Sequence, residues 1–477
     1  MRSSEAPTIG LLLLGACQAA APAPEPVDPP VLVIGAGLAA ARALQDAGLD
    51  VVVLEARDRI GGRAHTRDVG GVPVDAGAML VHGVGDNPLA TLCDALGIAY
   101  EPAGFGMGPI HDAATGGPVE DGLLQLARAT RDFENRLEDL AAALPADASM
   151  RDAIEAFLDG SGERSEDQRR YASFALTQLL IELYEAGPAD LMSLRAYVES
   201  PYAEFAGGNH VLPGGYVQVV DALAEGLDVR LNEPVSRISY DAAGVTVSTP
   251  SGELRGSHAI VTVPLGVLKA GVIAFDPPLS ASKRAAIERL DMGNLEKVVL
   301  RFDEPFWRER GASSTFLYVA EEPGEFPGFT DWTDAAGAPT LVCVYGGRSA
   351  RNVLDKWGDE EIATRAVQTL REIFGDDVPD PIATHVTRWR DDPWTLGSYG
   401  YLPVGSGPDD MRELGEPVEG RLLFAGEATE PLLYATVHGA LVSGLREARR
   451  IAGDAAALPG IDGTARRRPP ALPRRLP

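Results

Sequence analysis

The sequence predicts a mixed α/β fold, in which a parallel sheet is assembled from separated stretches of chain and a second domain of mixed sheet plus helices is inserted between them. Three observations carry this. Val31–Ile34 and Val51–Leu54 are continuous apolar runs on either side of a helical stretch at residues 38–47, the pattern of parallel strands buried on both faces. Residues 235–249 change to alternation, as in Val245-Thr246-Val247, before another apolar run at 259–263. Amphipathic stretches at 123–144 and 150–183 place a helical block between the strand-rich ones, and a short strand at 421–425 with a helix at 437–451 ends the pattern.

The chain has 477 residues, 45% of them apolar and 23% charged, which suits a soluble globular protein of two or three domains. A net charge of −27 argues against non-specific nucleic-acid binding, which needs clustered Lys and Arg, and it suits a cationic small molecule better. The same acidity is also what a plain solvated surface gives.

Met1-Arg2, an apolar segment at 9–14 and Leu14-Gly15-Ala16-Cys17 read as an export signal, since the segment is far short of the roughly 20 residues that span a bilayer. The ending resembles the lipobox of bacterial lipoproteins, which implies a signal over residues 1–17, Cys17 as a lipid anchor and a periplasmic or membrane-anchored location. A tail with a chance cysteine is the alternative, with Glu5 in its favour, and no Arg-Arg pair marks a twin-arginine route. Residues 18–30 read as an Ala/Pro linker, and 456–477 as a basic, Pro-rich disordered tail. Cys93 and Cys343 can pair only if the fold brings them together.

Gly35-Ala36-Gly37-Leu38-Ala39-Ala40 follows the first strand and opens the helix. Gly35 makes the turn, Gly37 lets backbone approach a pyrophosphate, and the alanine at 40 is an accepted third position against the sheet. The helix N-terminus then faces phosphate charge. Glu55 ends the second strand at the spacing of about 20 residues where an acid accepts ribose hydroxyls. Strand, glycine turn, helix and acid together make a Rossmann-like dinucleotide site.

Leu54-Glu55-Ala56-Arg57-Asp58-Arg59-Ile60-Gly61-Gly62-Arg63 adds glycine amides and guanidinium groups that a simple nicotinamide site does not need. This run resembles that of the flavin-containing amine oxidase superfamily, and the resemblance extends from about Val31 to Ile451. Asp75-Ala76-Gly77-Ala78-Met79-Leu80-Val81-His82-Gly83 is similar to the segment beneath the flavin ring, and Leu212-Pro213-Gly214-Gly215-Tyr216, Pro234-Val235 and Pro264-Leu265-Gly266-Val267 follow in the family's order. Leu422-Leu423-Phe424-Ala425-Gly426-Glu427-Ala428-Thr429 and Thr436-Val437-His438-Gly439-Ala440 close the series.

The resemblance implies non-covalent FAD, because Ser398 stands where monoamine oxidases carry a cysteine. It implies cofactor contacts from Gly35, Ala36, Gly37, Leu38, Ala40, Glu55, Ala56, Arg57, Gly62 and Arg63. Gly77, Ala78, Met79, Leu80, Val235, Trp394, Gly426, Glu427, Thr436 and Val437 complete that set. Residues 31–82, 210–268 and 418–455 then form the FAD-binding domain, and 83–209 with 269–417 the substrate domain.

Lys297 stands on an otherwise apolar strand, where a structural reading offers only a snorkelling edge residue. The resemblance to polyamine oxidases and lysine-specific histone demethylases implies that it holds water at flavin N5. Trp389 and Tyr399 are implied to form an aromatic wall that stacks on an amine and excludes water, with core packing as the alternative. Thr436 occupies the place of a second tyrosine, and the resemblance implies a catalytic set of Lys297, Tyr399, Thr436 and Trp389. No metal site is expected.

These features imply an FAD-dependent oxidase of primary or secondary amines or polyamines, releasing imine or aldehyde and, from oxygen, hydrogen peroxide. Glu182, Glu185, Glu199 and Glu204 are candidates to attract distal charges of a polyamine, or plain surface acids. The Thr436 pattern is nearest to the demethylases, yet no long helical hairpin insert or extra N-terminal domain accompanies it, so the expected substrate is not a histone. An L-amino-acid oxidase or monooxygenase is the first alternative and needs an arginine such as Arg195 or Arg348 for a carboxylate. A non-redox or inactive FAD-binding lipoprotein is the second.

One departure stands out. Members of the family read Gly-Ala-Gly-Leu-Ala-Gly-Leu-Ala-Ala-Ala-Arg-Ala-Leu, whereas here Ala39 passes directly to Ala40-Ala41-Arg42-Ala43-Leu44, three residues fewer. Such a loss shortens the helix by ~4.5 Å and turns its later face by ~60°, which predicts weaker phosphate packing.

Overall fold

Val31–Ile34 (β1) and Val51–Leu54 (β2) are buried along their whole length and pair in parallel, Val31 beside Val51 and Ile34 beside Leu54. The computed structural model describes residues 29–104, 106–160, 162, 164–202, 205–312, 315–321 and 325–461. The expected signal at 1–17 with Cys17, the linker to residue 28, Glu204 and the tail from residue 462 lie outside the described residues.

Three further strands complete a five-stranded parallel sheet in the order Asp228–Arg230, β2, β1, His258–Val261, Leu422–Phe424. Its strands thus come from three separated stretches of chain. Helix α1, Leu38–Asp46, crosses from β1 to β2 and buries an Ala/Leu face. It packs on the closing helix Val437–Ala452 at Gly444, where an added Cβ would lie 3.2 Å from both Ala39 Cβ and Ala40 N. Helix α1 therefore lies close against its partner at this point.

A seven-stranded mixed sheet forms the other large layer, running from Ala383–Val386 through Leu295–Arg301, Thr340–Gly346, Gly328–Asp331, Thr315–Val319 and Met107–Asp112 to Gly117–Pro118. Successive side chains of Leu295–Arg301 point to opposite faces. Val298 and Leu300 enter one apolar core with Tyr345 and Ala350, while Val299 enters another with Val74 and Val342.

The helical block differs in detail from the expectation. Residues 123–144 divide into Gly122–Glu134 and Leu137–Ala143. Residues 150–183 divide into Met150–Gly160, Glu166–Ser173 and a π-helix, Phe174–Glu182. Ser165 explains the second start, since its hydroxyl accepts the Gln168 N–H while the Gln168 side chain accepts the Ser165 N–H. The tail boundary at 456 needs correction too: Ala456, Leu458 and Ile461 are buried in the nucleotide-side core, because this stretch still offers apolar side chains to it. Cys93 and Cys343 are both free, each in a different core. Among the described residues no helix is long and apolar enough to cross a membrane.

Candidate active site

One cavity of about 1060 Å³ runs from the glycine turn after β1 to the apolar edge of the seven-stranded sheet. Every residue named above as facing cofactor borders it, as do Lys297, Trp389 and Tyr399. The volume lies at the upper end of small-molecule sites, as an extended ligand requires.

The glycines shape the cofactor half. Gly35 has φ +88°, and at Gly37 a Cβ would lie 2.5 Å from Thr262 Cγ2, so neither position admits another residue without displacement. At Gly77 a Cβ would meet the Arg63 carbonyl at 1.8 Å, so this glycine lets the segment at 75–78 lie against the segment at 61–65. Glu55 is buried at the end of β2, and burial pushes its carboxyl above the ordinary range even though the Arg57 N–H donates to it at 2.9 Å.

Two ion pairs fasten this half to the rest of the chain. Arg57 Nη1 lies 2.6 Å from Asp392 Oδ2, which leaves Arg57 Nη2 buried without a partner, a donor placed to take a ligand oxygen. Arg63 donates to Glu427 at 2.7 Å and to the Ser398 carbonyl at 2.9 Å. Glu427 also accepts N–H groups of Ala435 at 3.0 Å and Gly400 at 3.3 Å, so one buried carboxylate ties three segments together. A turn that only glycine can form, a buried acceptor acid ending β2 and an unpaired guanidinium donor are the groups a dinucleotide needs.

At the middle of the cavity Lys297 Nζ donates to the Asp75 carbonyl at 2.8 Å and to that of Gly77. Trp389 Nε1 takes the carbonyl between them, Ala76, at 3.1 Å. Burial lowers the Lys297 pKa to about 8, so its charge is adjustable near neutrality. His65 meets Trp389 edge-on, ring centroids 6.4 Å apart, and burial with Arg59, Arg67 and Arg57 lowers it to about 4, which keeps it neutral. The Ser398 hydroxyl donates to the Leu295 carbonyl and accepts its N–H, so it is committed to the backbone.

The far end is apolar and aromatic. Leu179 and Leu180 of the π-helix and Leu183 face it, with Leu317 and Val344 from the sheet. Tyr399 donates to the Tyr184 carbonyl at 3.0 Å, and Tyr434 donates to Glu185 Oε2 at 2.9 Å. Tyr202 stands edge-on to Tyr434 at 5.4 Å.

Of the three candidate acids among the described residues, only Glu185 borders the cavity. Glu182 is buried elsewhere, accepting the Ala189 N–H at 3.3 Å beside the start of Gly347–Lys356, and Glu199 is exposed. Glu134 borders the cavity as well and was missed, as was Tyr434; the only sequence signal for Tyr434 is its place two residues before Thr436. Thr436 caps the closing helix: its hydroxyl donates to Leu433 O at 2.6 Å and accepts the Gly439 N–H at 3.0 Å. Arg195 is exposed and Arg348 pairs with Asp190, and neither borders the cavity.

Known proteins agree with this architecture. The chain is 36% identical to lysine-specific histone demethylase 1 homolog 1 of Oryza sativa subsp. japonica over 90% of its length, and it spans 53% of that protein. It spans about half the length of lysine-specific histone demethylase 2 of Homo sapiens and of lysine-specific histone demethylase 1 homolog 1 of Arabidopsis thaliana as well. Probable polyamine oxidase 4 of Arabidopsis thaliana is 34% identical, with 88% of this chain and 86% of that one covered. Among solved structures, cyclohexylamine oxidase from Brevibacterium oxydans superposes with a TM-score of 0.73 at 26% identity, covering 89% of this chain and 99% of that one. A putrescine oxidase bound to putrescine superposes with a TM-score of 0.73 at 24% identity over the same shares, a likeness of fold. The family model described as flavin containing amine oxidoreductase matches residues 36–452. The chain belongs to that family, and FAD is its cofactor.

Proposed function

We propose that the protein oxidises primary or secondary amines, including di- and polyamines, to imines that water hydrolyses to aldehydes. The observation that carries this is the continuity of one cavity from the dinucleotide turn, past Lys297 and Trp389 on three consecutive carbonyls, to an aromatic end. When bound, FAD would supply the acceptor for the hydride of the amine α-carbon, with oxygen as the final acceptor giving hydrogen peroxide.

The chain's own residues supply orientation and environment. Leu179, Leu180, Leu183 and Tyr399 remove water from the carbon that reacts, and an apolar wall favours the neutral amine over its cation. Lys297, held beside the segment at 75–77 and adjustable near pH 8, is placed to hold a water at the middle of the cavity. Glu185, oriented by Tyr434, offers a carboxylate to a second ammonium group of a diamine.

An amino-acid substrate fits less well. The described arginines on the cavity are Arg57 and Arg63, and both serve the cofactor half. Peroxide release from the FAD-loaded protein across mono-, di- and polyamines is the test. Turnover of phenylalanine or tryptophan with none of spermidine or benzylamine would overturn the proposal. Export and anchoring through Cys17 belong to the same proposal on the strength of Leu14-Gly15-Ala16-Cys17, and a Cys17→Ala variant that fractionates with membranes as the natural chain does would sink them.

A further inference from the structure

Glu296 precedes Lys297 on Leu295–Arg301, and the strand's alternation turns it away from the cavity. It is fully buried and stands across the sheet from Tyr345, whose hydroxyl is buried without a hydrogen-bond partner. A buried carboxylate needs donors, and Glu296 has three: Thr387 Oγ1 at 2.6 Å, Trp389 N at 3.1 Å and Arg390 N at 3.1 Å. Thr387 is itself tied to Lys297, accepting its N–H at 2.8 Å through Oγ1 and donating its own N–H to the Lys297 carbonyl at 3.0 Å.

One carboxylate therefore joins the backbone of residue 297 to that of residue 389. On the cavity side the same two residues grip consecutive carbonyls of the segment at 75–77. We propose that Glu296 is a positioning residue: through Thr387 and the amides of Trp389 and Arg390 it fixes Lys297 and Trp389 relative to each other against the segment at 75–77. The kinetic part of this inference rests on the amine-oxidase reading; the spectroscopic part does not.

The chemistry of the side chain matters. An ionised carboxylate is acceptor-only, whereas a glutamine offers one acceptor oxygen and brings two N–H donors into a site already full of donors. Burial raises the Glu296 pKa to about 7, so its acceptor state forms within the working pH range. The groups that face it are Asp391 on the same loop, Tyr345 on the paired strand and Lys297 on the opposite face of its own strand. Arg388, paired with Asp359, and Arg390, bound to the Arg351 carbonyl, flank the loop and keep their charge.

The test uses the full-length FAD-loaded protein as the natural chain, Glu296→Gln, Thr387→Val and Lys297→Met. The resting visible flavin spectrum is titrated from about pH 5 to 9 without substrate, and kcat and KM are measured separately. The expected result is an ionisation near pH 7 in the natural chain that is lost in Glu296→Gln and kept in Lys297→Met. kcat of Glu296→Gln falls about tenfold to a hundredfold with KM within about twofold, the cost of a small misplacement. An ionisation near pH 7, distinct from that of Lys297 near pH 8, that survives in Glu296→Gln, or wild-type kcat with a wild-type pH profile, overturns the role. If Glu296→Gln does not fold, Thr387→Val carries the comparison, because it keeps the carboxylate and removes the bridge; an unchanged spectrum and kcat there also overturn it. If the natural chain turns over no amine, the amine-oxidase reading fails while the spectral titration still decides the role of Glu296.

Discussion

Lys297 shows how a single buried charge is made tolerable. Its ammonium is satisfied by two backbone carbonyls, and burial leaves it near pH 8, where a small change of surroundings moves its proton. Lys297→Met removes both bonds and any water the ammonium holds. Turnover should fall at least about a hundredfold while FAD is retained, read as peroxide release against the visible flavin band; near-normal turnover would refute the assigned role. Thr436 predicts the opposite pattern, because its hydroxyl is spent on the cap. Thr436→Ala should lower the melting temperature by about 1 °C, from roughly 1 kcal/mol of lost capping, and leave turnover within about twofold.

Much of this was legible residue by residue. Lys297 stood out because a lysine inside an apolar strand needs a reason, and the glycines because the strand and acid around them fix their purpose. Glu185 did not separate from Glu182, Glu199 and Glu204. Which acid reaches the cavity depends on the π-helix that ends at Glu182, and its wider turns shift the side chains away from the 3.6-residue period that sequence patterns follow. Glu296 gave no signal because its donors lie about 90 residues away on the Trp389 loop.

At the scale of elements, the turn between β1 and α1 combines the plainest sequence signal with the tightest packing. Gly37 abuts Thr262 of the neighbouring chain segment, so Gly37→Ala should abolish FAD retention after gel filtration, and a variant that keeps a full flavin complement would show that the turn can give way. The three-residue departure did not prevent α1 from seating on Val437–Ala452, because Gly444 leaves room for Ala39 and Ala40. Four strands of the parallel sheet were legible as apolar runs, whereas the edge strand Asp228–Arg230, with Val229 between two exposed charged residues, was not. The breaks in the helical block were harder, although residues 159–170 carry no apolar side chain and the capping box at Ser165 marks the new start.

For the whole molecule, buried carboxyls tune stability with pH. Glu182 is raised from its ordinary 4.5 to about 7, chiefly by burial. A carboxyl with a raised folded pKa favours the folded state below its unfolded pKa, and that contribution is lost as pH rises through about 7. Glu182→Gln should therefore flatten the fall in melting temperature between about pH 5 and 8, and an unchanged slope would exclude Glu182 as its source.

The cavity joins layers contributed by distant parts of the chain, and its central claim is that an amine reaches a cofactor held by the glycine turn. Anaerobic mixing of the FAD-loaded protein with a panel of mono-, di- and polyamines reads that step directly. The structure predicts loss of the visible flavin band with at least one amine, abolished or slowed at least about a hundredfold in Lys297→Met. No loss of the band with any amine would contradict it.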